Sequence, residues 1–192
     1  MNPDLPFYNF FCTHKLDKEV VEKITSELSP IKLSKGEVFI DYQNKVNKIG
    51  ILIDGLMISK YIDSYENEYV SKFYHNHGDN IIVDLNAFKK EQLSLEKIYA
   101  FEDSMLMTIS RTSFLKLKKE HSVIRDLSNS LAEESYIKAL QRIRSLQKVD
   151  NKEKIKDFRN THNSIINRLN IKDIASYLGM SRNVYTNNLK QI

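Results

Sequence analysis

The sequence predicts an α+β protein: an antiparallel β-roll first, then one long helix, then a C-terminal helix-turn-helix. Three observations predict it. Between Ile31 and Ser110 the apolar residues recur with period two, interrupted by turn residues. From Val123 to about Lys148 there is no glycine or proline, and the apolar residues are spaced as on a helix. From Asn170 to Ile192 two short helical patterns flank one glycine, Gly179. With 192 residues, 41% of them hydrophobic and 28% charged, the chain can bury a core and is not of disordered composition.

The first element is a helix over 15–28, with Leu16, Val20, Ile24 and Leu28 on one face, Asp17 and Glu19 near its start and Pro30 to stop it. The strands follow at 37–41, 49–53, 56–62, 69–74, 93–101 and 105–110. Turns are expected at Ser34-Lys35-Gly36, Asp54-Gly55, Glu66-Asn67 and Gly78-Asp79, and Asp54-Gly55 is the strongest hairpin signal. Short strands at regular spacing suggest a barrel or roll. A helix begins at Thr112. The next, of about 25 residues, would be roughly 37 Å long. That is more than a small roll can cover, so its apolar residues (Ile124, Leu127, Leu131, Tyr136, Ala139, Leu140, Ile143, Leu146) are expected to meet a second copy along a two-fold seam. The alternative is packing entirely on its own roll. Lys148–Lys156 marks a hinge or helix start, and Ile155, Phe158, Ile165, Ile166 and Leu169 are expected beneath the last two helices.

In the C-terminal stretch Asn170 can cap a helix with Asp173 as its partner, and Ile171, Ile174, Ala175 and Leu178 share its inner face. Gly179 supplies the left-handed turn, and Ser181 caps a second helix whose apolar face is Tyr185, Leu189 and Ile192. The small Ala175 permits a close crossing. The other face of the second helix holds Arg182, Asn183, Thr186, Asn187 and Lys190, none apolar and none acidic. Arginine and asparagine can pair two-pronged with guanine and adenine edges, and lysine and threonine suit phosphates. Residues 142–192 carry eleven Lys+Arg against four Asp+Glu, whereas residues 1–141 carry eighteen against twenty-one. The basic charge is therefore concentrated where a polyanion would dock. The opposing interpretation is an ordinary helical hairpin with a solvated face.

Some chemistry is disfavoured. No apolar run approaches a membrane span, and MNPDLPFYNFF lacks the basic start of a signal peptide. Cys12 is the only cysteine, which leaves no disulfide, cysteine zinc site or iron–sulfur cluster within one chain and suggests a cytoplasmic setting. His75 and His77 form an H-x-H on a strand, a pair that cupin enzymes use for metal, but no third ligand stands at cupin spacing and His121 is expected in a helix. His14 and His162 read as surface residues. No nucleophile motif or glycine-rich phosphate loop is present, and Glu133-Glu134 and Glu102-Asp103 read as solvated charges. An enzyme is not expected, and no cofactor or metal is assigned.

The order of roll, long helix and helix-turn-helix resembles the Crp/Fnr family of bacterial transcription regulators over most of the chain. KDIASYLGMSRN (172–183) is similar to the family's helix-turn-helix. Leu52-Ile53-Asp54-Gly55, Gly78-Asp79 and Glu102-Asp103-Ser104 are similar to pieces of its roll. The likeness extends to short members common in Bacteroidetes that stop soon after the recognition helix, so no wing is expected after Ile192. The resemblance implies a cyclic-nucleotide-binding-domain-like sensor roll over 1–115, a dimerisation helix over 116–148 and a DNA-binding domain over 149–192. It implies a homodimer on double-stranded DNA, with half-sites about 34 Å apart, and RNA polymerase as a further partner. Lys172, Ser181, Arg182, Asn183, Thr186, Asn187 and Lys190 become the candidate DNA-binding residues. Arg182, Asn183 and Asn187 are assigned to bases, and Thr186, Lys190 and Lys172 to the backbone.

Two departures shape these expectations. Cyclic-AMP-binding members carry Gly-Glu and Arg-Ser or Arg-Thr in the segment that here reads NIIVDLNAFKKEQLSLEKIYA. This chain has Asp84, Leu93-Ser94 and no arginine before Arg111, and Lys89, Lys90 and Lys97 could substitute only loosely. A buried cyclic phosphate needs a guanidinium or backbone nest, so no response to cyclic AMP is expected. Asn183 and Asn187 stand where the family often has glutamate and arginine, and Asn188 where it is usually apolar. The target site should differ accordingly. The alternative is a degenerate member that binds DNA weakly and acts through another partner.

Overall fold

The structure, a computed structural model, describes residues 16–76 and 78–192. Cys12, His14, His77 and the MNPDLPFYNFF segment lie outside the described residues. The described residues divide into two compact units, 16–59 with 73–132, and 60–72 with 133–192.

The first unit is the roll. It opens with α1 (Lys18–Ser26), shorter than the apolar spacing suggests, and continues at once into β1 (Ser29–Leu33). Pro30 does not act as the stop. It sits in β1, at the edge of its sheet, where a missing N–H removes no ladder bond. Two four-stranded antiparallel sheets follow. One has the order β1-β8-β3-β6, with β3 (Lys48–Asp54), β6 (Ile81–Ile82) and β8 (Ser104–Ser110). The other has the order β2-β7-β4-β5, with β2 (Val38–Ile40), β4 (Leu56–Ile62), β5 (Glu68–His75) and β7 (Glu96–Ala100).

Asp54-Gly55 is therefore not a hairpin turn, because β3 and β4 lie in different sheets. It is the corner where the chain crosses between them. Gly55 has φ +106°, and a Cβ there would lie 2.3 Å from Ser104 Oγ and 2.7 Å from the Asp103 carbonyl. Gly55→Ala is expected to lose roughly 1–3 kcal/mol of stability from strain at that φ. Urea unfolding measures it, and an unchanged midpoint would contradict the corner. A hairpin is formed instead by β4 and β5, closed by an Asx-turn: Asp63 Oδ1 accepts from the N–H of Tyr65 at 2.8 Å and of Asn67 at 2.9 Å.

Inward-facing residues of both sheets fill the roll. Leu52, Met57, Ile82, Ile98 and Leu106 are all at most 1% exposed, and each such side chain contributes about 1.5–3 kcal/mol by leaving water. Leu117 of α3 (Arg111–Glu120) and Ile124 of α4 (Ser122–Gln147) join this core. His121 lies at the break between those two helices, in extended backbone, and not within a helix. A short helix that periodicity did not signal, α2 (Leu85–Lys90), precedes the strand expected over 93–101, which is confined to β7. Asp84 caps α2 through the Ala87 N–H at 3.0 Å.

The second unit contains the distal part of α4, α5 (Asn151–Thr161), a 3-10 turn (Ile166–Arg168), α6 (Ile171–Tyr177) and α7 (Arg182–Leu189), together with the tip of the β4–β5 hairpin. Its own core is Ile155, Phe158, Ile165, Ile174, Ala175, Leu178 and Tyr185, each at most 3% exposed.

Candidate nucleic-acid interface

α5, α6 and α7 each begin on a side chain that caps them. Asp150 accepts from the Lys152 N–H at 2.8 Å and starts α5. Asn170 Oδ1 accepts from the Asp173 N–H at 2.8 Å, while its amide donates to Asp173 Oδ2 at 2.6 Å, so the expected pair closes side chain to side chain at the start of α6. Ser181 Oγ accepts from the Val184 N–H at 3.2 Å and starts α7. Between α6 and α7, Gly179 has φ +68°, and the Met180 N–H returns to the Ala175 carbonyl at 3.0 Å. Ala175 is buried at this crossing as its size suggests.

Two apolar assignments need correction. Ile171 and Ile192 are 38% and 49% exposed, because Ile171 occupies the first position of α6 and Ile192 lies beyond the end of α7. Nor is His162 a surface residue: its ring stacks on Phe158 at 4.4 Å and meets Tyr177 edge-on at 5.5 Å. Tyr185 is buried in the unit, and that burial raises its hydroxyl above the ordinary tyrosine value.

With Tyr185 and Leu189 turned inward, helical geometry places Arg182, Asn183, Thr186, Asn187 and Lys190 within an arc of about 140° that begins beside Leu189 and runs round the outer side. Arg182, Asn183, Asn187 and Lys190 are exposed, and Thr186 is half-buried. Lys172 is exposed on the first turn of α6. Ser181 is spoken for by its cap. Thr186 Oγ1 donates to the Arg182 carbonyl at 2.9 Å, which leaves its oxygen as an acceptor in this rotamer. Asn188, polar at an inward-leaning position, is half-buried and donates to the Val184 carbonyl at 2.8 Å. That bond satisfies its amide within its own helix. Among the described residues no His, Cys, Asp and Glu side chains group in threes as a metal-ligand set, and no helix is long and apolar enough to cross a membrane.

In the roll, the segment between Gly78 and Ala100 is organised by carboxylates. Asp84 Oδ2 accepts from Ser94 Oγ at 2.8 Å, and Glu96 Oε2 accepts from Ser59 Oγ at 2.6 Å. Ser59 and Ser94 are fully buried. The Tyr74 hydroxyl nearby is pushed well above its ordinary value, by burial first and then by Glu96, Asp79 and Asp84. Arg111 serves α2: its Nε donates to the Phe88 carbonyl at 3.1 Å and its guanidinium pairs with Glu91 at 2.8 Å.

A two-sheet roll followed by a long helix and a group of short helices is the architecture of the Crp/Fnr regulators. No family model matches the chain, and no curated protein matches it. Solved structures do. A protein of Eubacterium rectale assigned to the Crp/Fnr family of transcriptional regulators superposes with TM-score 0.74 at 15% identity, over 97% of this chain and 86% of that one. The c-di-GMP-responsive global regulator CLP of Xanthomonas campestris gives 0.71 at 12% identity, over 91% of each chain. A CooA variant from Carboxydothermus hydrogenoformans gives 0.69 at 13% identity, over 100% of this chain and 85% of that one. The chain has the Crp/Fnr fold.

Proposed function

We propose that the protein is a homodimeric, DNA-binding transcription regulator of the Crp/Fnr type, acting in the cytoplasm. The functional division we favour is a sensor-like roll over 1–115, a dimerisation helix over 116–148 and a helix-turn-helix domain over 149–192. The observation that carries this reading is the exposed, acid-free face of α7, set on a tightly capped pair of helices in a chain of Crp/Fnr fold. Arg182, Asn183 and Asn187 would meet base edges, Lys172 and Lys190 the phosphates, Thr186 would join them by turning its hydroxyl from the Arg182 carbonyl, and Ser181 would hold the helix start against the backbone. RNA polymerase is a partner on the resemblance alone. No reaction is proposed.

The dimer is supported by the exposed apolar residues of α4. Tyr136, Leu140 and Ile143 recur at i, i+4 and i+7; within the single chain Tyr136 is 64% and Ile143 50% exposed, and Leu140 between them is half-buried. The seam of a two-stranded contact has that spacing.

We also propose that cyclic AMP is not the effector. The segment where a phosphate would have to be held, 80–100, contains no arginine, its Asp84 and Glu96 carboxylates are engaged by Ser94 and Ser59, and burying a phosphate without a guanidinium beside it is costly. Calorimetry with cyclic AMP is expected to show no binding, and a micromolar dissociation constant would overturn this point. A second reading, in which the fold persists with weak DNA binding, rests on Asn187, shorter than an arginine, and on Asn188, polar and half-buried in α7. Selection of random duplex DNA by the purified protein at about 0.15 M salt separates the two, because non-specific binding is already weak there. An enriched, two-fold symmetric sequence is expected; enrichment of nothing counts against the regulator.

A further inference from the structure

The C-terminal unit contains a joint that base recognition does not use. Among the described residues β5 is an edge strand, paired only with β4. Such an edge presents N–H and C=O groups that no neighbouring strand satisfies. At Val70 and Ser71 side chains take the strand's place. The Val70 N–H donates to Ser176 Oγ at 2.9 Å. Arg142, on α4, donates to the Val70 carbonyl at 2.9 Å, to the Ser71 carbonyl, and to the Tyr177 carbonyl at 3.3 Å. The same guanidinium stands 4.2 Å from the Tyr177 ring centroid. Tyr177 ends α6, so its carbonyl is one that a helix leaves without an internal partner, and a cation there suits the helix dipole. On β4, Lys60 reaches Asp173 Oδ1 at 3.5 Å, and Asp173 is itself held by the Asn170 cap. The hairpin tip thus touches α6 near its start through Lys60, along its length through Ser176 and at its end through Arg142. All of these residues belong to the same compact unit.

We propose that the β4–β5 hairpin tip is the seat of α6, and that Arg142 is a positioning residue which fixes α6, and through it the α7 face, without itself touching DNA. The second half of this inference rests on the DNA-binding reading. The guanidinium suits the task because its planar fork serves several carbonyls and a ring at once, which an ammonium cannot copy. A group that only shielded the sheet edge would affect stability and leave recognition as it was.

The test uses the full chain, with Arg142→Gln and Ser176→Ala, and reads amide exchange together with binding to the duplex that the unsubstituted protein selects. In both variants exchange of the Val70 amide and of the α6 amides is expected to quicken about tenfold or more, as loss of a charge-assisted or buried hydrogen bond implies, while the α5 amides hold. Duplex affinity is expected to fall about tenfold with an unchanged salt slope, because no phosphate contact is lost. Unchanged exchange in α6 would overturn the seat. Faster exchange with undiminished affinity, or a salt slope reduced by about one, would overturn the positioning role. If the unsubstituted protein selects no duplex, the DNA reading fails separately, and the exchange arm decides the seat on its own. Ser176→Ala keeps the arm decisive should the arginine variant fail to fold.

Discussion

Ile143→Glu is expected to turn the proposed dimer into a monomer. Ile143 is half exposed in the isolated chain, so its replacement should leave each chain folded, with unchanged circular dichroism. In a two-fold seam the new carboxylate would be buried beside its own copy. Two like charges without partners cost several kcal/mol, which raises the dissociation constant by about a thousandfold or more. Sedimentation at micromolar concentration would then show one chain where the parent shows two. Binding to a symmetric DNA site should collapse with it, because the two recognition helices are no longer linked. A variant that remains dimeric would remove the Tyr136–Ile143 stripe from the interface.

Arg182→Ala should carry the largest effect on recognition. The residue is exposed at the first position of α7, where a recognition helix brings its N-terminal side chains to base edges. Loss of a two-pronged contact costs roughly 1–3 kcal/mol and relaxes preference at one base pair. Lys190→Ala should behave differently, weakening all sequences alike and lowering the salt slope by about one. The comparison of these two profiles, by titration of variant duplexes, assigns each side chain to base or phosphate. If Arg182→Ala kept the parent's site preference, the base assignment of Arg182 would be wrong.

The architecture was legible because period and punctuation agreed along most of the chain. Alternation through the roll and the glycine-free run of α4 each had a single physical explanation, and Asn170, Gly179 and Ser181 stand where caps and a left-handed turn require them. Asp54-Gly55 misled because a positive-φ glycine suits an inter-sheet corner as well as a hairpin, and only the non-local pairing of β3 with β8 distinguishes the two. α2 was missed because six residues are too few to show a helical period, although Asp84 followed by the Ala87 N–H is a capping arrangement. The candidate recognition face was visible as a pattern of residue types. Arg142 was not, since nothing in its neighbourhood along the chain indicates that it reaches β5 and the end of α6. His162 was misjudged for the same reason: its partner Phe158 is local, but Tyr177 is brought to it by the fold.

The most direct measurement is the identity of the duplex that the purified protein enriches from a random pool. The account predicts a palindrome whose half-sites are about 10 base pairs apart, one turn of DNA, as two copies of α7 on a two-fold dimer require. Recovery of an unsymmetric sequence would contradict the dimer. Recovery of none, with or without added cell extract, would contradict the claim that this chain reads DNA.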